Sequence, residues 1–119
     1  MNQSIKHKSL LENENVRRWY ENIKAGSKIT ADVYLRTLGL YCEINNTNPQ
    51  GILNKASKDP KKFKNDFMDF VRFLENQGKA RSYIVRFKKT LRSWLKFNDI
   101  DLKIDVKIKG EDESPRIAN

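Results

Sequence analysis

The chain is poor in the residues that build disulfide scaffolds, metal sites and linkers. A lone cysteine, Cys42, in 119 residues leaves no internal disulfide framework. A single histidine, His7, removes most metal sites. Three prolines and five glycines are too few for collagen-like or linker-like sequence. No apolar run approaches the roughly 18 residues of a membrane span. The opening MNQSIKHKSL has no apolar segment and does not read as a signal peptide. A soluble, cytoplasmic chain is expected, with no membrane partner. Catalytic patterns are missing as well: no Ser/His/Asp or Cys/His set, no phosphate-cradling glycine loop, no metal-ligand spacing. Acidic pairs such as Asp66 and Asp69 fall on helix surfaces, where solvated charge explains them. No catalytic residue, metal, cofactor or small-molecule substrate is therefore expected.

Acids are also absent from one long stretch. Between Asn76 and Asn98 stand seven lysines and arginines and no aspartate or glutamate. The rest of the chain carries seventeen cations against fifteen anions, so this segment holds most of the net +9. A field concentrated in one place points to a polyanionic partner more strongly than diffuse basicity does.

What is present is helical periodicity. Val16, Trp19, Tyr20 and Ile23 recur at i, i+3, i+4, i+7 and predict a first helix over about residues 12–25. Asn13 or Asn15 can cap it, and Gly26 can end it in a left-handed conformation. Ser27 and Thr30 are two N-cap candidates for a second helix reaching about Asn45. That helix is apolar on most sides, which predicts a central, buried position with Cys42 as a small core residue. Asn48-Pro49 and Asp59-Pro60 are matching start signals, a cap followed by proline at the first helical position. The first opens a short helix to about Ala56. The second opens a longer one, with Phe63, Phe67, Phe70, Val71 and Leu74 on one face, closed by Gly78. A fifth helix runs from about Ala80 to Phe97. Leu102, Ile104, Val106 and Ile108 then alternate with polar residues, as a weak strand or extended connector. The acidic EDESPRIAN reads as a linker end. The fold expected is all-α, a small bundle of four to five helices with an extended C-terminal connector.

At about 100° per residue, Ile84, Phe87, Leu91, Trp94 and Leu95 of the fifth helix gather on one side. Arg81, Arg86, Lys88, Lys89, Arg92 and Lys96 gather on the other, with Ser82 and Ser93 among them. The apolar face fixes the angle of such a helix, and the basic face neutralises phosphates and reaches base edges. Ser82 can cap the helix or meet a phosphate at its N-terminus. Tyr83 borders the core face, and Val85 sits within the basic arc, in place for a sugar or thymine methyl. A basic amphipathic helix also suits an anionic membrane, but here Phe87 and Trp94 are needed by the core.

Two stretches resemble a known family. SKITADVYLRTLGLYCEI, residues 27–44, resembles the S-x-x-T-x-x-x-Y-x-x-x-L opening of the core-binding domain of tyrosine recombinases, the phage-integrase family, at Ser27, Thr30, Tyr34 and Leu38. KARSYIVRFKKTLRSWLKF, residues 79–97, resembles that domain's last helix at Ser82, Ile84, Phe87, Leu91-Arg92 and Trp94. The resemblance covers about residues 12–100. It implies a SAM-like helical domain that clamps one face of duplex DNA, in a site-specific recombinase of a prokaryotic mobile element, acting with other protomers. It makes Ser27, Lys28, Thr30 and Tyr34 candidate DNA contacts, beside Lys79, Arg81, Ser82, Arg86, Lys89, Arg92 and Lys96; Tyr34 suits the core equally well. It divides the chain into a flexible tail over 1–11, the DNA-binding domain over 12–100, and a connector over 101–119 toward a catalytic domain. It also implies a nucleoid-associated location. The family's nucleophilic tyrosine and its Arg, Lys and His groups have no counterpart here: none of Tyr20, Tyr34, Tyr41 or Tyr83 stands in the right context. The chain reads as the non-catalytic part of a recombinase or as a stand-alone relative.

Two rivals remain open. A helical protein-interaction module of the SAM or death-domain kind predicts an exposed apolar patch or acidic surface and little salt-dependent DNA binding. A helix-turn-helix regulator predicts a tight glycine turn before a recognition helix, which Gly78 offers. Without a catalytic constellation, incubation of the protein with supercoiled plasmid is expected to give neither nicked nor relaxed product. Metal-independent relaxation traced to one of its tyrosines would overturn this reading.

Overall fold

The starts of four of the five helices are set by side chains that satisfy otherwise unpaired backbone N–H groups. The computed structural model describes residues 7–110. Helix α1, Glu14–Lys24, begins after Asn13, whose Oδ1 accepts from Val16 N at 3.0 Å. Helix α2, Lys28–Ile44, begins after Ser27, whose Oγ accepts from Thr30 N at 3.2 Å. Helices α3, Pro49–Lys58, and α4, Pro60–Asn76, start at the two Asx-Pro signals. Asn48 accepts from Gly51 N at 2.8 Å and Asp59 from Lys62 N at 3.2 Å. Each cap replaces a lost water bond and contributes about 1 kcal/mol. Helix α5, Arg81–Phe97, differs: its N-cap is Ala80, with no side-chain cap, so Ser82 does not cap it.

Three helices end alike, with a left-handed residue followed by a bond back to the last turn. Gly78 (φ 79°) follows α4, and Lys79 N donates to Leu74 O at 3.1 Å. Asn46 (φ 52°) follows α2, with Thr47 N on Cys42 O at 2.9 Å. Asp99 (φ 61°) follows α5, with Ile100 N on Leu95 O at 3.0 Å. Gly26 is not left-handed, contrary to expectation; Ser27 N reaches Ile23 O at 2.9 Å without a positive φ.

The five helices form a small all-α bundle around one core, and no strand occurs among the described residues. Ile84, Phe87, Leu91, Trp94 and Leu95 of α5 are all fully buried, as the periodicity predicts. They meet Val16 and Trp19 of α1, Leu35, Leu38 and Tyr41 of α2, Ile52 and Leu53 of α3, and the phenylalanine face of α4. Trp94 lies edge-on to Trp19 at 5.2 Å, and its Nε1 donates to Pro49 O at 3.1 Å. Phe70 lies edge-on to both Tyr41 and Phe87, at 5.1 and 5.0 Å. Edge-to-face geometry adds to the burial of each ring. Helix α2 is less enclosed than its composition predicts: Val33, Tyr34 and Leu40 are half-buried, and Ile29 is 78% exposed.

The core extends past both expected boundaries. Lys8–Glu12 form a 3-10 turn whose Leu10 and Leu11 pack on the core, so the expected tail over 1–11 does not hold for its described part. His7 is buried against Gly39, where a Cβ would overlap the imidazole. At the other end the chain is extended but packed. Ile104, Val106 and Ile108 are buried, so residues 101–110 belong to the domain rather than to a free connector. This strap is fastened by side chains. Lys88 Nζ donates to Val106 O at 2.9 Å, Arg72 Nη2 to Lys107 O at 2.7 Å and Arg81 Nη1 to Gly110 O at 2.7 Å. Glu75 accepts from Lys109 N at 2.8 Å, which together with Arg72 holds its carboxyl below the usual range. The acidic segment read as a linker end, 111–119, lies outside the described residues.

Two substitutions test this packing by thermal melt. Trp94→Ala is expected to cost about 3–5 kcal/mol through lost burial and a cavity. Ile104→Ala is expected to cost about 2–5 kcal/mol. In an unpacked connector the same change would stay within roughly 0.5 kcal/mol.

Candidate nucleic-acid interface

Burying one face of α5 fixes where its cations point. Arg86, Lys89, Arg92 and Lys96 are exposed, as are Lys79 and Arg81 at its start. Two residues expected on this polar arc are not there. Lys88 is buried, because its long stem crosses the apolar strap and its ammonium meets the Val106 carbonyl. A buried ammonium needs such a partner to offset lost hydration. Ser93 is half-buried and accepts from Trp19 Nε1 at 3.0 Å, so it closes the core instead of facing solvent. Arg81 shares one guanidinium N–H with Gly110 O, yet a guanidinium has five donors and remains exposed. Lys79 lies over the Tyr83 ring at 5.6 Å, a cation–π contact that leaves its charge available.

Four of these exposed cations fall into two settings. The N-terminal halves of α2 and α5 enclose a groove of about 350 Å³. Thr30, Tyr34, Ser82, Arg86 and Lys89 line it, which brings together five of the residues named from the two separate sequence stretches. Ile29, Val33 and Val85 complete the lining, and no acid is among it. The second groove, about 770 Å³, lies between the C-terminal half of α5 and the strap. Lys88, Arg92, Lys96, Lys103 and Lys107 line it, and so do Asp99, Asp101 and Asp105. The second lining interleaves both signs, whereas the first presents cations with no acid between them. The two grooves thus separate Arg92 and Lys96 from Thr30, Tyr34, Ser82, Arg86 and Lys89.

The remaining candidates play structural parts as well. Ser27 is half-buried and occupied as the α2 cap. Lys28 is exposed but pairs with Asp32 at 2.8 Å, which raises the Lys28 pKa. Asp32 is held below the usual carboxylate range by hydrogen bonds from Lys28 and from the Tyr20 hydroxyl. Tyr34 stacks on Trp19 at 6.5 Å, and it also lines the groove. Ile29 and Val33 were not singled out by the sequence reading. Their signal was there: an i, i+4 apolar pair on a helix with more apolar surface than one core-facing stripe requires.

Cys42, Tyr41 and Tyr20 are all shifted toward the protonated form. Burial pushes the Cys42 thiol up to about 12 and raises the Tyr41 hydroxyl as well. Tyr20 is raised by its 2.6 Å hydrogen bond to Asp32. Each shift disfavours the anion that attack requires. Among the described residues no group of three His, Cys, Asp or Glu side chains could hold a metal ion. None of their helices is long and apolar enough to cross a membrane. Comparison of the chain with protein-family models, with curated proteins and with solved structures finds no match.

The groove makes a direct prediction. Arg86→Ala combined with Lys89→Ala is expected to leave the melting transition nearly unchanged, since both side chains are solvated and surface changes move stability by roughly 0.5 kcal/mol per site. Affinity for duplex DNA is expected to fall and its salt slope to become shallower by up to about two units, one for each lost phosphate contact. A double variant that binds DNA like the parent would make this basic arc a solvated face only.

Proposed function

We propose that this chain binds duplex DNA through the groove between α2 and α5, as the core-binding domain of an integrase-type recombinase does. The observation that carries the reading is the acid-free groove that joins Thr30 and Tyr34 on one helix to Ser82, Arg86 and Lys89 on another. The guanidinium and ammonium neutralise phosphates, and arginine also pairs with guanine O6 and N7. The hydroxyls of Thr30 and Ser82 donate to phosphate oxygens and fix the register. The chain's part is affinity and positioning; strand cleavage and joining fall to a separate catalytic domain, with further protomers in the assembly.

A second reading, a helical protein-interaction module, draws on Ile44 and Phe73, both more than two-fifths exposed beside Asp66 and Asp69 on a cavity of about 410 Å³. Salt separates the two. If Lys79, Arg81, Arg86 and Lys89 each neutralise a phosphate, log K falls against log salt with a slope of roughly −3 to −5. A DNA titration at several salt concentrations reads that slope. Affinity that ignores salt, or no binding at low salt, would move the interaction module ahead.

A further inference from the structure

We propose that the groove between α2 and α5 also reads the C5-methyl groups of pyrimidines in the DNA major groove. The inference rests on the duplex-binding reading and adds a base preference to it. Phosphates explain Arg86 and Lys89 but not their neighbours. Ile29 is 78% exposed, and Val33, one turn along α2, is half-buried on the same groove. Val85 faces them from α5, next in sequence to Arg86 and one turn before Lys89. An isolated exposed valine needs no explanation, but three β-branched apolar side chains on one groove, rimmed by cations, form a shared surface. These stiff side chains hold their shape with little entropy to lose on contact.

On a duplex the cations commit this surface to the polyanion, and the apolar feature of the major groove is the thymine C5-methyl. Cytosine has only hydrogen there, and the minor groove presents no methyl at all. An anionic lipid surface fits less well. Lipid insertion needs a continuous apolar helix face, and Leu35, Leu38, Tyr41 and Cys42 of α2 are buried in the core.

The experiment compares duplexes differing only in that methyl group: an A·T-rich duplex with thymine or with deoxyuridine throughout, and a G·C-rich duplex with cytosine or 5-methylcytosine. Thymine is expected to bind more tightly than deoxyuridine by roughly fourfold per methyl buried, with the same salt slope. Methylation of cytosine is expected to strengthen binding. Ile29→Ala with Val85→Ala should shrink both differences while leaving the salt slope intact. Ile29→Ala alone, at a largely exposed site, should reduce them without risk to the fold. Salt-dependent binding that does not distinguish thymine from deoxyuridine would overturn this inference and leave the duplex reading standing. No binding to any duplex at low salt would remove both. Methyl discrimination undiminished in both variants would place the contact elsewhere. Binding to phosphatidylserine vesicles that is lost in Ile29→Ala, with the two A·T duplexes bound equally, would assign the groove to a lipid surface.

Discussion

The contact of Trp94 with Trp19 and with the Pro49 carbonyl sets the rotation of α5, and the rest of the surface follows from that rotation. The indole is fully buried and tied at its one polar atom, so it has little freedom to turn. Phe87, two turns earlier, is locked between Phe70 and Tyr83 by edge-on contacts at 5.0 and 5.3 Å. Two anchored rings at i and i+7 define one face of a helix. The cations between and opposite them are then carried outward in a fixed arc. Basicity alone would not give a directed field; a rigid core face does.

The strap modifies that field in a way residue counting does not anticipate. It takes Lys88 into the interior and occupies one donor of Arg81. It also brings Asp101 and Asp105, together with Lys103 and Lys107, into one groove with Arg92 and Lys96. One end of α5 is left in an acid-free groove and the other in a mixed-charge one. The same segment covers apolar surface with Ile104, Val106 and Ile108, so charge pattern and stability are coupled through ten residues of extended chain.

For the proposed DNA interface this coupling has a consequence. The acid-free lining lies where α2 and α5 approach each other, and the polar and apolar groups there are supplied by helices far apart in sequence. Phosphate attraction by Arg86 and Lys89 is long-ranged and sequence-tolerant. The proposed Ile29, Val33 and Val85 contacts would be short-ranged and would act only with the duplex seated. In the proposed complex, affinity and selectivity would reside in adjacent atoms of one groove but differ in distance dependence.

By itself the sequence determined the five helices, narrowed the caps of four of them to one or two candidates each, and marked the buried faces of α4 and α5. Asn13, Ser27, Asn48 and Asp59 act within one turn of themselves, and the i, i+3, i+4 spacing of Phe63, Phe67 and Phe70 needs no distant partner to be read. Asn46 and Asp99 take left-handed positions as legibly as Gly78 only once the helix ends are known, because side chains other than glycine tolerate φ > 0 at a cost that tertiary packing must offset. Of the candidate site, Arg86 and Lys89 were legible from periodicity, and Thr30 and Tyr34 from a resemblance. Only the tertiary structure decided that the two pairs share a groove, that Ile29 is left in water, that Ser93 turns inward to Trp19, and that Lys88 is buried under the strap. Those outcomes depend on contacts between residues up to seventy-four positions apart, and helical periodicity carries no information about such distances.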